Sequence, residues 1–86
     1  MTDAPAAPAV TLFARPGCHL CDDARIVVAE VCGRLDVAWD ERDIDADDAL
    51  TERYGLSIPV VEVDGREVAR YLVTARGLEA ALAGRE

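Results

Sequence analysis

Val10-Thr11-Leu12-Phe13-Ala14 is an apolar, β-prone run that Arg15-Pro16-Gly17 stops, which predicts a strand and a turn. The pattern then changes period. Leu20, Ala24, Val27, Val28, Val31 and Leu35 recur at helical spacing, so a helix starts at or just after Cys18 and ends near Leu35, with Gly33 weakening its last turn. From Asp36 to Asp45 the chain alternates: Val37, Trp39, Glu41 and Asp43 share one face, and Ala38, Asp40, Arg42 and Ile44 the other. The first half of that stretch predicts a second strand. Acids early and a glycine late make the segment from Asp45 to Gly55 a short helix. Val60–Val63 and Glu67–Leu72 then read as two strands joined at Asp64-Gly65, a strong hairpin signal. Thr74 is placed to cap a last helix through Leu82, with Leu78 and Leu82 on its inner face.

The predicted order is therefore β-α-β-α-β-β-α, an α/β architecture. The first two strands flank a helical crossover and are expected to be parallel. The last two form a hairpin and are antiparallel, so the four-stranded sheet is mixed, with the three helices packed on its faces. No internal repeat is visible. Residues 1–9, rich in Pro and Ala, read as a disordered leader, and 10–86 as a single domain.

Composition changes this picture little and narrows the function. The net charge is −8, and all nine basic residues are scattered arginines. Nucleic acid and anionic membrane both need clustered positive charge, so neither is an expected partner. No run approaches the roughly 18 continuous apolar residues of a membrane span, and the leader has no signal-peptide pattern. The expectation is a cytoplasmic protein whose thiols are kept reduced. An odd cysteine count, three, also argues against a secreted disulfide framework.

Two of those cysteines carry the candidate chemistry. Cys18 falls at the predicted helix start and Cys21 one turn later. Positions i and i+3 have Cβ atoms about 5–6 Å apart, and a disulfide wants about 3.8 Å. A small tightening of the turn closes that gap, so the pair can open and close without rebuilding the domain. Free amides and the positive end of the helix dipole favour an anion at Cys18, and the thiolate is the nucleophile. Cys21, further into the helix, is expected to be more shielded. Cys18 would attack a substrate disulfide and Cys21 would resolve the mixed disulfide. The competing readings are a structural disulfide, a zinc site and two inert core thiols. A structural disulfide would close a trivially small loop. Zinc needs about four ligands, and no second close pair exists.

Neighbours could tune this centre. His19 adds positive charge when protonated, or is an exposed filler. Arg15 could do the same or meet a substrate carboxylate, or be a solvated surface residue. Asp22 and Asp23 oppose an anion at Cys18 while favouring the helix start. Cys32 lies about three turns beyond Cys21, roughly 16 Å along the helix, and reads as a small buried hydrophobe rather than a third redox partner. Trp39 is expected to pack on the sheet. Tyr54 and Tyr71 either edge a substrate groove or pack at the rim of the core.

The stretches "TLFARPGCHLCDDAR" and "SIPVVEVDGREV" together resemble the thioredoxin superfamily, in particular its small glutaredoxin-like branch, from Val10 to about Leu82. The resemblance implies a thioredoxin-like fold and a thiol–disulfide oxidoreductase. It implies that Ile58-Pro59 is a cis peptide, with the Ile58 backbone hydrogen-bonding an incoming extended peptide or thiol compound. Substrates would be protein disulfides or mixed disulfides with a small thiol. The electron donor would be a reductase or a low-molecular-weight thiol such as glutathione. The expected site is thus Cys18 and Cys21 as catalytic residues, with Arg15, His19, Ile58 and Pro59 binding substrate. No metal and no cofactor beyond the dithiol are expected, and the protein is expected to be a monomer. Two departures from the family pattern stand out: Cys18-His19-Leu20-Cys21 replaces the usual Cys-Pro-Tyr-Cys, and Ala69–Thr74 lacks the paired glycines that hold glutathione in glutaredoxins. The missing glycine pair keeps open a redox-inert binding module that holds a partner in the groove beside Ile58-Pro59, and the resemblance, through relatives that do this, keeps open a metal or iron–sulfur cluster carrier at Cys18.

Overall fold

The structure, a computed structural model, describes residues 8–84; the expected leader lies almost wholly outside them. Strands β1 (Val10–Ala14), β2 (Trp39–Asp43), β3 (Val60–Val63) and β4 (Arg66–Arg70) form one sheet in the order β2-β1-β3-β4. β1 runs parallel to β2 and antiparallel to β3, and β3 and β4 form the antiparallel hairpin. Helices α1 (His19–Leu35), α2 (Asp48–Tyr54) and α3 (Ala75–Ala83) complete the fold, with a 3₁₀ turn at Ile44–Ala46.

Alternation along the two central strands builds two cores. Val10, Leu12 and Ala14 of β1 and Val61 and Val63 of β3 point to one face, where Cys21, Ala24, Val28, Val31 and Cys32 of α1 and Leu78 and Leu82 of α3 cover them. Phe13 and Val60 point to the other face and meet Ile44 and Tyr54. The Phe13 and Tyr54 rings stack at 4.4 Å between centroids. The layers are therefore α1 and α3, then the sheet, then α2. Cys32 is buried, as its position in the pattern implies.

Caps fix the ends of the elements. The Thr74 hydroxyl accepts from the Gly77 amide at 3.0 Å and starts α3 where expected. Asp47 caps α2 by accepting from the Ala49 amide at 2.8 Å. That helix begins at Asp48, because the preceding acidic residues are used by the 3₁₀ turn that buries Ile44. Asp64 and Gly65 both adopt positive φ, 53° and 83°, the geometry of a two-residue hairpin.

Four expectations need correction. β2 occupies the second part of the alternating stretch, not its first half. Asp36 takes the left-handed conformation that ends α1, and Val37 still bonds back to the Cys32 carbonyl, so pairing starts only at Trp39. Within β2, Trp39 and Asp40 are half-buried and Glu41, Arg42 and Asp43 exposed, so the expected two-face alternation gives way to an exposed edge strand. β4 stops at Arg70 because Tyr71 turns the chain at φ 65°. Leu20 and Leu35 are exposed rather than inward: the inner stripe of α1 runs through Cys21, Ala24, Val28, Val31 and Cys32.

Candidate active site

Each element contributes its end to one edge of the molecule. β1 finishes at Ala14, Gly17 turns the chain at φ 82°, and Cys18 sits in extended conformation as the N-cap of α1. Its Sγ accepts a hydrogen bond from the Cys21 backbone amide at 3.2 Å. A cysteine here does what Ser or Asp does at most helix starts: it satisfies one of the orphan amides. The helix is closed behind it by the Asp22 amide, which donates to the Cys18 carbonyl at 3.0 Å.

The two sulfurs are unequal. Cys18 is half-buried and packs against the edge of the main core, whereas Cys21 is fully buried within it. Burial, and then the adjoining Cys18 sulfur, push the Cys21 thiol up to about 11 from its usual 9.0, with the Arg15 backbone and the Arg25 charge pulling weakly the other way. Cys21 is thus held as a neutral thiol near pH 7. Burial also pushes the Cys32 thiol up.

Register places the Ile58-Pro59 pair at the same edge. Phe13 of β1 faces Val60 of β3, so Pro59 lies beside the end of β1, where the Cys18 loop begins. Alternation from Val61 puts Pro59 on the α1 face of the sheet. The Ile58-Pro59 peptide is cis, and Pro59 is fully buried. Ile58 is half-buried and packs against both cores. Among the described residues nothing hydrogen-bonds to its backbone amide or carbonyl.

Arg15 and His19 are near the centre in sequence but differ in use. The Arg15 Nε donates to both carboxylate oxygens of Asp45 at 3.0 Å, a pairing across the loop that the linear pattern does not reveal. His19 is the exposed first residue of α1. Arg25 is an unanticipated contributor: it grips Glu41 of β2 through two bonds of 2.7 and 2.8 Å and also bonds Asp22 at 2.8 Å. It thereby neutralises the carboxylate next to Cys21 and ties the first turns of α1 to the sheet edge. Its signal in the sequence was only an i, i+3 Asp–Arg pair. A cavity of about 380 Å³ lies between these ion pairs, lined by Ala14, Arg15, Pro16, Arg25, Glu41 and Asp43. Among the described residues no group of three or more His, Cys, Asp or Glu is placed to hold a metal ion, and no helix is long and apolar enough to cross a membrane.

Residues 9–83 match the glutaredoxin-like domain (DUF836). The chain belongs to that family. No curated protein matches this glutaredoxin-like domain. Among solved structures, it is similar to the target protein XcR50 from X. campestris, with 37% identity and a TM-score of 0.75 over 91% of this chain and all of that one. The thioredoxin-like protein BC3987 is 27% identical, with a TM-score of 0.60 over 90% of this chain and 97% of that one. Thioredoxin from Fasciola hepatica has the same fold at 20% identity, with a TM-score of 0.63 over 90% of this chain and 79% of that one. The glutaredoxin-like domain therefore has the thioredoxin-like fold, with Cys18 and Cys21 adjacent at the strand-to-helix junction.

Proposed function

We propose that this glutaredoxin-like domain is a thiol–disulfide oxidoreductase working through Cys18 and Cys21. One observation carries the reading: the sulfur of half-buried Cys18 caps α1 and accepts the Cys21 amide, while the thiol of fully buried Cys21 waits one turn behind it. The Cys18 thiolate attacks one sulfur of a substrate disulfide, forms a mixed disulfide and expels the other substrate sulfur as a thiolate. Cys21 then attacks the Cys18 sulfur, breaking the mixed disulfide, and its proton passes to the substrate thiolate that leaves. The protein is left with a Cys18–Cys21 disulfide and the substrate has gained two electrons. A low-molecular-weight thiol such as glutathione, or a reductase, returns them by the same exchange in reverse.

Protein disulfides and mixed disulfides with small thiols are the substrate classes, and the unpaired Ile58 backbone is the place for an extended segment to bind. The test uses Cys18→Ser and Cys21→Ser in a disulfide-reduction assay. Cys18→Ser should abolish turnover, and Cys21→Ser should accumulate a mixed disulfide visible as added mass. Undiminished turnover in Cys18→Ser removes the reading, as does a dithiol that no oxidant converts to a disulfide.

A further inference from the structure

Tyr71 adopts φ 65°, a left-handed conformation that is rare for a bulky side chain and persists only where its surroundings hold it. A glycine would adopt this conformation without steric cost. The tyrosine instead bonds the preceding loop at two points. Its amide donates to the Pro59 carbonyl at 2.8 Å. Its phenol, at the far end of the side chain, donates to the Leu56 carbonyl at 3.1 Å. The two acceptors bracket Ser57 and Ile58.

The bracketed segment is short; Ile58 packs against both cores, and the Arg70 guanidinium donates to the Ser57 hydroxyl at 3.5 Å. The Ser57 amide bonds the Tyr54 carbonyl at 2.8 Å, and Leu56 is 95% exposed. Ile58, between the two clamped carbonyls, is half-buried with its amide and carbonyl unpaired among the described residues. Half-buried and without a partner among the described residues, these two backbone groups are left to solvent or to a ligand. A single residue beyond β4 therefore bonds the carbonyls that flank Ser57 and Ile58.

We propose that Tyr71 is a positioning residue for substrate: through its hydrogen bonds to Leu56 and Pro59 it holds the loop so that the Ile58 amide and carbonyl can pair with the segment bearing the disulfide. It acts through Ile58 and takes no part in the exchange at sulfur; the proposal rests on the dithiol-exchange reading above.

The test compares the full chain with Tyr71→Phe and Tyr71→Gly. The readouts are KM and kcat for an oxidised two-cysteine peptide, the rate of Cys18 alkylation, and amide hydrogen exchange at Ser57 and Ile58. Tyr71→Phe should raise KM about three- to tenfold, the size of one neutral hydrogen bond, with kcat and Cys18 alkylation unchanged and amide exchange faster. Tyr71→Gly, which removes the phenol together with the strain, should give the same rise in KM. A wild-type KM in both variants, or an equal loss in kcat and alkylation rate, overturns the proposal. Should the parent protein fail to exchange disulfides at all, the dithiol reading falls. The amide exchange then decides the clamp separately: faster exchange in Tyr71→Phe upholds it, and unchanged exchange overturns it.

Discussion

The Cys21 amide reaches the Cys18 sulfur at 3.2 Å, yet the Cys21 side chain itself is sealed in the core. Backbone and side chain of one residue thus serve the two sulfurs differently. At pH 7 iodoacetamide should label the reduced native protein once, at Cys18, and three times after unfolding. Labelling of Cys21 in the folded state should accelerate as pH rises toward about 11. Peptide mapping by mass spectrometry after timed alkylation checks both; Cys21 labelled as fast as Cys18 at pH 7 contradicts this arrangement.

Tyr54 supplies a second pH signature. Burial, and then its hydrogen bond to Glu62, push the phenol up to about 12 from 10.0. The folded state therefore favours the neutral phenol. That contribution is complete below the ordinary phenol value of 10.0 and is lost as pH climbs through about 12. Tyr54→Phe should cost about 1 kcal/mol at pH 7, one hydrogen bond with its half-buried acceptor left over. It should also flatten the alkaline loss of stability. Urea unfolding at pH 7 and 10.5 measures both, and an unaltered alkaline slope in the variant excludes this role for Tyr54.

Core and rim should respond very differently to truncation. Leu12 is fully buried between the sheet and α1, whereas Leu72 is 72% exposed. Leu12→Ala should destabilise by about 3 kcal/mol, and Leu72→Ala by no more than about 0.5 kcal/mol. Similar costs at the two sites, read from denaturant midpoints, would mean that Leu72 is covered in solution.

The cap of α3 can be tested alone. Thr74→Ala removes the acceptor of the Gly77 amide and should cost about 1 kcal/mol. Thr74→Ser should restore most of it. Failure of serine to rescue would place the effect in the threonine methyl group rather than in the hydrogen bond.

Local pattern was enough wherever one residue decides a backbone geometry or a whole face repeats. Val10–Ala14, the span of α1, the Asp64-Gly65 hairpin and the Thr74 cap all stand where period and turn chemistry put them. So does the placement of Cys18 before Cys21 at a helix tip, because Pro16-Gly17 can only end a strand and the apolar period restarts just after it. Short, charged segments were less legible: β2 and the start of α2 are set by where α1 terminates and by the burial of Ile44, neither of which is a local preference.

What the chain alone determined is thus the kind and order of its elements and the place of Cys18 and Cys21 at the start of α1. Only the tertiary structure decided which groups those elements bring together. It made Cys21 rather than Leu20 the inner residue of the first helical turn, since adjacent positions lie 100° apart and packing against the sheet selects the stripe. It spent Arg15 on Asp45 and Arg25 on Glu41, partners 30 and 16 residues away. It also drew Tyr71 across to Leu56 and Pro59. Periodicity reports which way a residue faces along its own element; the distance between two elements is a property of the packed core, and no local pattern contains it.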